Sequence, residues 1–165
     1  MKRGLAPIVR AAARILILGS LPGDASLGAG HYYAHPRNHF WTLVGRVTNS
    51  DLAGMDYPAR IAALQSTGIA LWDVVAAAHR SGSLDMHIAD AELNDLRSLT
   101  RNLPDLRLMA FNGKKAATLA RPALNDIPIE TMTLPSNSPA HAVSIVVKEA
   151  AWAQLEPYLR APASK

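Results

Sequence analysis

Four consecutive aliphatic residues, Ile15 to Leu18, open the patterned part of the chain. The run is too short to span a membrane and has no polar alternation, so it predicts a strand buried on both faces. Gly19, Pro22, Gly23, Gly28 and Gly30 then break regular structure and predict a long loop. Phe40, Leu43, Val44 and Val47 recur at spacings of three and four, predicting an amphipathic helix. Pro58 and Gly68 bracket a second helix over 59–65. Residues 69–75 read as a second buried strand with one acid, Asp73, near its end, and 76–87 as another loop. Asp90 is expected to cap a helix buried along Leu93, Leu96, Leu99 and Leu103. A third strand over 106–111 closes at Asn112-Gly113 and leads into a helix from Lys114 to Leu119. A fourth strand over 129–134 ends in a polar turn, Pro135 to His141, and a last helix covers 146–155. Residues 1–13, basic and small, are expected as a surface arm or short helix.

Strands separated by helices require crossover connections, which predicts one α/β domain over 1–165 with a central, mainly parallel four-stranded sheet. Open sheets of this kind bind ligands beyond the carboxyl ends of their strands. The loop after the first strand holds His31, Tyr32, Tyr33, His35, Arg37 and Asn38, and is taken as the active site.

Composition narrows the chemistry. A chain of 165 residues, 49% hydrophobic, can bury a real core. Lys and Arg outnumber Asp and Glu by 17 to 13, an excess compatible with a polyanionic partner. No cysteine is present, which excludes disulfides, thiolate catalysis and cysteine-held clusters. Arg10 and Arg14 interrupt any signal-peptide core behind Lys2 and Arg3, and no stretch approaches the roughly 20 apolar residues of a membrane helix. A cytoplasmic monomer is expected.

Common motifs fail. Gly28-Ala29-Gly30 lacks the third glycine of a dinucleotide fingerprint, and Gly113-Lys114-Lys115 lacks the Ser or Thr of a phosphate loop. Asp24-Ala25-Ser26-Leu27-Gly28 misses a nucleophile elbow by one glycine. His31, His35 and His39 would form a metal-binding stripe on a helix, but Pro36 disfavours helical geometry at His35. No metal or other cofactor is expected.

Three segments together carry a resemblance: Gly19-Ser20-Leu21-Pro22-Gly23, Ala34-His35-Pro36-Arg37-Asn38-His39-Phe40-Trp41, and Leu134-Pro135-Ser136-Asn137-Ser138-Pro139-Ala140-His141. The chain resembles the uracil-DNA glycosylase superfamily, and most of all its hypoxanthine-DNA (deoxyinosine) glycosylase branch. The resemblance implies a three-layer α/β/α fold, a flipped base in a pocket at the strand ends, DNA containing deaminated bases as partner, and hydrolysis of the base–deoxyribose bond. Leu21 stands where mismatch-specific relatives carry a water-positioning Asn. The resemblance moves that role to Asn38, with His141 as a donor toward the sugar or leaving group.

The same resemblance implies Tyr33 as the aromatic on which the base stacks. It places Asp73 where uracil-specific relatives read the base edge. There a carboxylate accepts from hypoxanthine N1–H while a backbone N–H near Ser20 or Leu21 meets O6. Asn137 and Ser138 are implied as the minor-groove wedge, with Ser136 near phosphate. Ser26, Arg80 and Lys114 are candidate phosphate contacts by their own chemistry, with an ordinary surface role as the alternative for each. The alternatives are a uracil or mismatch glycosylase, a catalytically silent binder of damaged DNA, and a small-molecule hydrolase using Ser26.

Overall fold

The structure is a computed structural model and describes residues 1–160. The last five positions of the expected 1–165 unit lie outside the described residues. In chain order the elements are β1 (Lys2–Arg3), β2 (Ile15–Gly19), α1 (Asp24–Ala29), α2 (Phe40–Thr48), α3 (Tyr57–Ser66), β3 (Ile69–Asp73), β4 (Val75–His79) and β5 (Ala89–Leu93). There follow α4 (Leu96–Arg101), β6 (Leu108–Asn112), α5 (Lys114–Ala120), β7 (Glu130–Leu134), α6 (Ile145–Trp152) and α7 (Glu156–Leu159).

The main sheet has the order β3-β2-β6-β7 and every pairing is parallel. Because side chains alternate across a strand, β2 divides the core. Ile15 and Ile17 pack with Phe40, Leu43 and Val44 of α2, Leu64 of α3 and Trp152 of α6. Leu16 and Leu18 pack on the other face with Leu96 of α4 and Ala116, Ala117 and Ala120 of α5. This is the expected three-layer α/β/α arrangement around a central four-stranded sheet. Both faces are covered, which is why the strands read as unbroken aliphatic runs.

Several expectations are corrected. Residues 1–13 are not a free arm: Lys2–Arg3 pairs antiparallel with β4, and Ile8 bridges Leu71. The apolar run over 69–75 splits at Val74, and Val75–His79 leaves the main sheet for a small antiparallel one, β1-β4-β5. The loop expected over 76–87 is therefore strand as far as His79. Asp90 caps no helix; it sits in β5 with φ 53°, and Asp95 caps α4 by accepting from Ser98 N–H. Leu93 accordingly falls on a strand and is exposed. Asp24–Ala29 forms a short helix inside the glycine-rich loop, ended by Gly30 at φ 68°.

Candidate active site

Parallel strands bring all their carboxyl ends to one edge. Gly19 pairs with Asp73, and Asn112 pairs with Leu134, so neighbouring strands stop at matching levels. The Gly19–Gly23 turn, the Asp73–Val74 junction, Asn112-Gly113 and the Pro135–His141 turn all leave from that edge.

Direct bonds join the segments. Val74 N–H donates to Gly19 O at 2.8 Å and Val75 N–H to Ser20 O at 2.9 Å. Asn137 N–H donates to Asn112 Oδ1 at 3.1 Å, while Asn137 O accepts from His39 N–H at 3.2 Å. The His-Pro-Arg-Asn segment thus lies against the Ser-Asn-Ser-Pro turn. Gly113, at φ 100°, is needed for this closeness: a β-carbon there would stand 3.2 Å from Ser136 Cβ. Trp152, the last residue of α6, holds the turn by donating from its indole to Pro135 O at 2.9 Å.

Among the described residues, five buried side-chain polar atoms have no partner: Tyr33 Oη, His39 Nδ1, Asp73 Oδ2 and both Oδ1 and Nδ2 of Asn137. All belong to the segments gathered at this edge. A buried polar group left unpaired costs about 1–3 kcal/mol, and folded chains keep few of them. Their concentration at one place makes this edge the candidate site for a polar ligand.

Asp73 is 3% exposed, and burial is the main reason its carboxyl is pushed up to about 7. Asp85 raises it further, and Arg80 opposes both. Ser20 links to this network by donating from Oγ to Asp85 Oδ1 at 2.5 Å. Tyr33 adopts φ 53°, a left-handed backbone uncommon for a tyrosine. Its ring stacks on Phe40 with centroids 3.8 Å apart, and burial raises its phenol well above the ordinary value. Tyr32 is buried, and its hydroxyl donates to Ala6 O.

The remaining sequence-derived residues divide. Asn38 is half-buried, and its Oδ1 accepts from Phe40 N–H at 2.9 Å at the start of α2. That bond fixes the carboxamide and leaves Nδ2 and a lone pair of Oδ1 for a water. Leu21 is 5% exposed, so only its backbone is offered. Ser136 Oγ accepts from Ser138 N–H and Ser138 Oγ from Ala140 N–H, leaving both hydroxyl protons to be donated. Lys114 is exposed at the first position of α5, and His141 is exposed on the turn.

Three placements differ from expectation. Asn137 is fully buried and is no wedge; the exposed tip of the turn is Pro139, Ala140 and His141. Ser26 is 5% exposed and its Oγ accepts from Ala34 N–H, so it braces the loop and presents neither a phosphate contact nor a nucleophile. The Arg80 side chain is wholly buried, its guanidinium donating to Leu21 O, Pro22 O and Gly82 O. It shapes the Gly19–Gly23 turn instead of meeting solvent. His31, His35 and His39 run through turns, with His31 stacked on Tyr57 and His35 Nδ1 accepting from Arg37 N–H.

Asn112, Asp85 and His39 join the site without having been singled out for it. Asn112 was legible as a polar residue ending a buried strand and His39 as a member of the Ala34–Trp41 segment; Asp85 carried no comparable signal.

The comparisons agree with this geometry. Residues 6–156 match the family model described as the Uracil DNA glycosylase superfamily. A protein of Methanosarcina barkeri named hypoxanthine DNA glycosylase is 40% identical over 153 residues, covering 93% of this chain and 96% of the relative. One of the same name from Methanosarcina acetivorans is 41% identical over 152 residues, covering 92% and 96%. The solution NMR structure of a Methanosarcina acetivorans protein described as a candidate uracil DNA glycosylase superposes with a TM-score of 0.86 at 39% identity, covering 96% of this chain and 98% of that one. Three motif segments meeting at one sheet edge, a matched family model and near full-length relatives lead to a single assignment: the chain belongs to the uracil DNA glycosylase superfamily.

Proposed function

We propose that the chain removes deaminated bases from DNA, hypoxanthine foremost, by hydrolysing the bond between base and deoxyribose. The observation that carries this reading is the concentration of unpartnered buried polar atoms at the sheet edge where the three motif segments meet.

A base inside a duplex is out of reach, so the nucleotide must first rotate out, at a cost of about a few kcal/mol. The exposed tip at Pro139 and Ala140 fills the gap, with the Ser136 and Ser138 hydroxyls and Lys114 meeting phosphates beside it. Asp73 then faces the base edge. Ionised, it accepts from N1–H of hypoxanthine; adenine presents an acceptor at that position and is refused.

In the chemical step the bond from C1′ to the base nitrogen breaks and its electron pair leaves with the base. The water oxygen bonds to the oxocarbenium-like sugar carbon, and overall one water proton passes to the base nitrogen. Asn38 orients that water without acting as a base, since an amide takes no useful proton. His141 and backbone N–H groups near Ser20 and Leu21 face the charge gathering on the leaving base. The product is an abasic site.

The test is incubation with oligonucleotides holding one hypoxanthine, uracil, xanthine or thymine mismatch, followed by alkaline strand scission. Release of hypoxanthine first supports the reading. Preference for uracil reassigns the base, and binding without scission makes the chain a silent binder of damage.

A further inference from the structure

Tyr33 is expected from its sequence context to offer a flat face to the base. The structure gives it a different surrounding. One ring face is taken by Phe40, stacked at 3.8 Å and inclined by only 14°, and the Trp41 ring meets it edge-on at 6.5 Å. The hydroxyl is driven inward to the sheet edge. It stands 3.3 Å from the point that a β-carbon on Gly19 would occupy, and Asp73 Oδ1 stands 2.5 Å from the same point. The Tyr33 hydroxyl and the second Asp73 oxygen are both buried and both without a partner. A phenol and a carboxyl therefore both lie over the bare backbone of Gly19, where any side chain would displace them. The phenol keeps its proton at any working pH, because burial and the neighbouring acid oppose its loss and together outweigh the Asn112 side chain, which favours it.

A fixed donor beside a fixed acceptor matches a particular molecular edge. Deamination of adenine turns N1 into an N–H donor and the exocyclic amine into a carbonyl acceptor, side by side. Deamination of cytosine makes the same N–H and C=O pair in uracil. The edge before deamination has the two roles reversed.

We infer that Tyr33 is a specificity residue that reads the lactam carbonyl of the extruded base through its hydroxyl, while Asp73 accepts the adjoining N–H. This rests on the glycosylase reading above and on the Asp73 role within it. The assignment changes what Tyr33 contributes: a directed hydrogen bond at the base edge in place of a stacking platform. The uncommon left-handed backbone at this position, φ 53°, goes with a hydroxyl held beside Gly19, the kind of strain that clusters at functional sites.

The test is Tyr33→Phe, which keeps the ring and removes only the hydroxyl. Single-turnover release is measured from duplexes containing hypoxanthine or 6-thiohypoxanthine, which keeps N1–H for Asp73 and replaces the carbonyl by a much weaker acceptor. The expected result is about a tenfold or greater loss on hypoxanthine and a clearly smaller loss on the thio base, as one directed hydrogen bond to the carbonyl would give. A stacking role predicts no loss on either substrate, and a structural role predicts an equal loss on both; either result overturns the inference. Site-specific 3,5-difluorotyrosine at position 33 gives a second reading if the phenylalanine variant is poorly folded. Its stronger donor must raise the hypoxanthine-to-thiohypoxanthine ratio, and an unchanged ratio overturns the assignment. If the unaltered protein releases no deaminated base at all, the glycosylase reading itself fails; if it does release hypoxanthine and the ratios do not move, only the Tyr33 assignment falls.

Discussion

Asp73 Oδ1 stands 2.5 Å from where a β-carbon on Gly19 would be, closer than any real side-chain atom is tolerated. Residue 19 ends the central strand β2 and pairs in register with Asp73. Its backbone is not left-handed, so space, not conformation, demands glycine here. Gly19→Ala is therefore expected to displace Asp73, costing about 1–3 kcal/mol of stability by overpacking and at least about a hundredfold in base release. Urea unfolding and single-turnover cleavage measure the two separately. Full activity in this variant would show that the base does not approach this point.

The Asp73 carboxyl predicts a pH signature. Its value is raised in the folded chain from 3.8 to about 7, so between those limits the folded state binds more protons than the unfolded one. Stability must then fall as pH rises from about 4 to 7 and level off above. Asp73→Asn should flatten this contribution and make the chain more stable at pH 8 by about 1 kcal/mol or more, while base release suffers. Urea midpoints at pH 5 and pH 8 decide it. A variant less stable than the parent at pH 8 would contradict the raised value.

Asn137 gives a second separation of stability from function. Its carboxamide is buried with neither atom paired, so Asn137→Ala removes two uncompensated groups and should change stability by less than about 1 kcal/mol. Cleavage should drop about tenfold or more if those atoms meet the reacting nucleotide. A large loss of stability with normal cleavage would make the residue purely architectural.

Asn38→Ala should lower the cleavage rate about a hundredfold or more while damaged DNA is still bound, because the water loses its guide and the rest of the interface stays. Unchanged single-turnover cleavage removes Asn38 from the chemistry.

Lys114 and Arg80 should part company in salt titrations. Lys114 is exposed beside the Ser136 turn, so Lys114→Ala should weaken damaged and undamaged DNA alike and reduce the logarithmic salt slope by about 0.9. Arg80 has no solvent-facing surface, so Arg80→Ala should leave the slope unchanged and instead cost roughly 2–3 kcal/mol of folding stability from the lost charged hydrogen bonds. Binding isotherms at several salt concentrations and urea curves distinguish the two.

The parallel sheet was legible because burial on both faces leaves aliphatic runs such as Ile15–Leu18 with no polar interruption. The small sheet was not. Val75–His79 is mostly alanine, its pairing with β5 is irregular, and Ala89–Leu93 is largely exposed, so neither strand shows a usable period. Asp90 looked like a cap because capping residues and left-handed strand residues share the same short polar side chain. At the site, the family resemblance singled out Asn38, Tyr33, Asp73 and the serine turn as candidates, but a resemblance of motifs does not encode depth. Arg80, Ser26 and Asn137 are polar residues whose contacts come from distant segments, and only the assembled chain shows that all three are enclosed. The Tyr33 hydroxyl is the sharpest case: which edge of a ring is covered depends on Phe40 and on the backbone angle at position 33.

The four strands of the main sheet deliver their last residues to a common level, and the aliphatic positions behind them are a separate matter. On the proposed reading, an exchange at a polar terminal position such as Asp73 changes which molecular edge is welcomed without touching the aliphatic interior, whereas Gly19 and Leu134 at the same level are tied to packing. Selectivity for one lesion over another would then be open to change at the polar positions and closed to it at the packed ones.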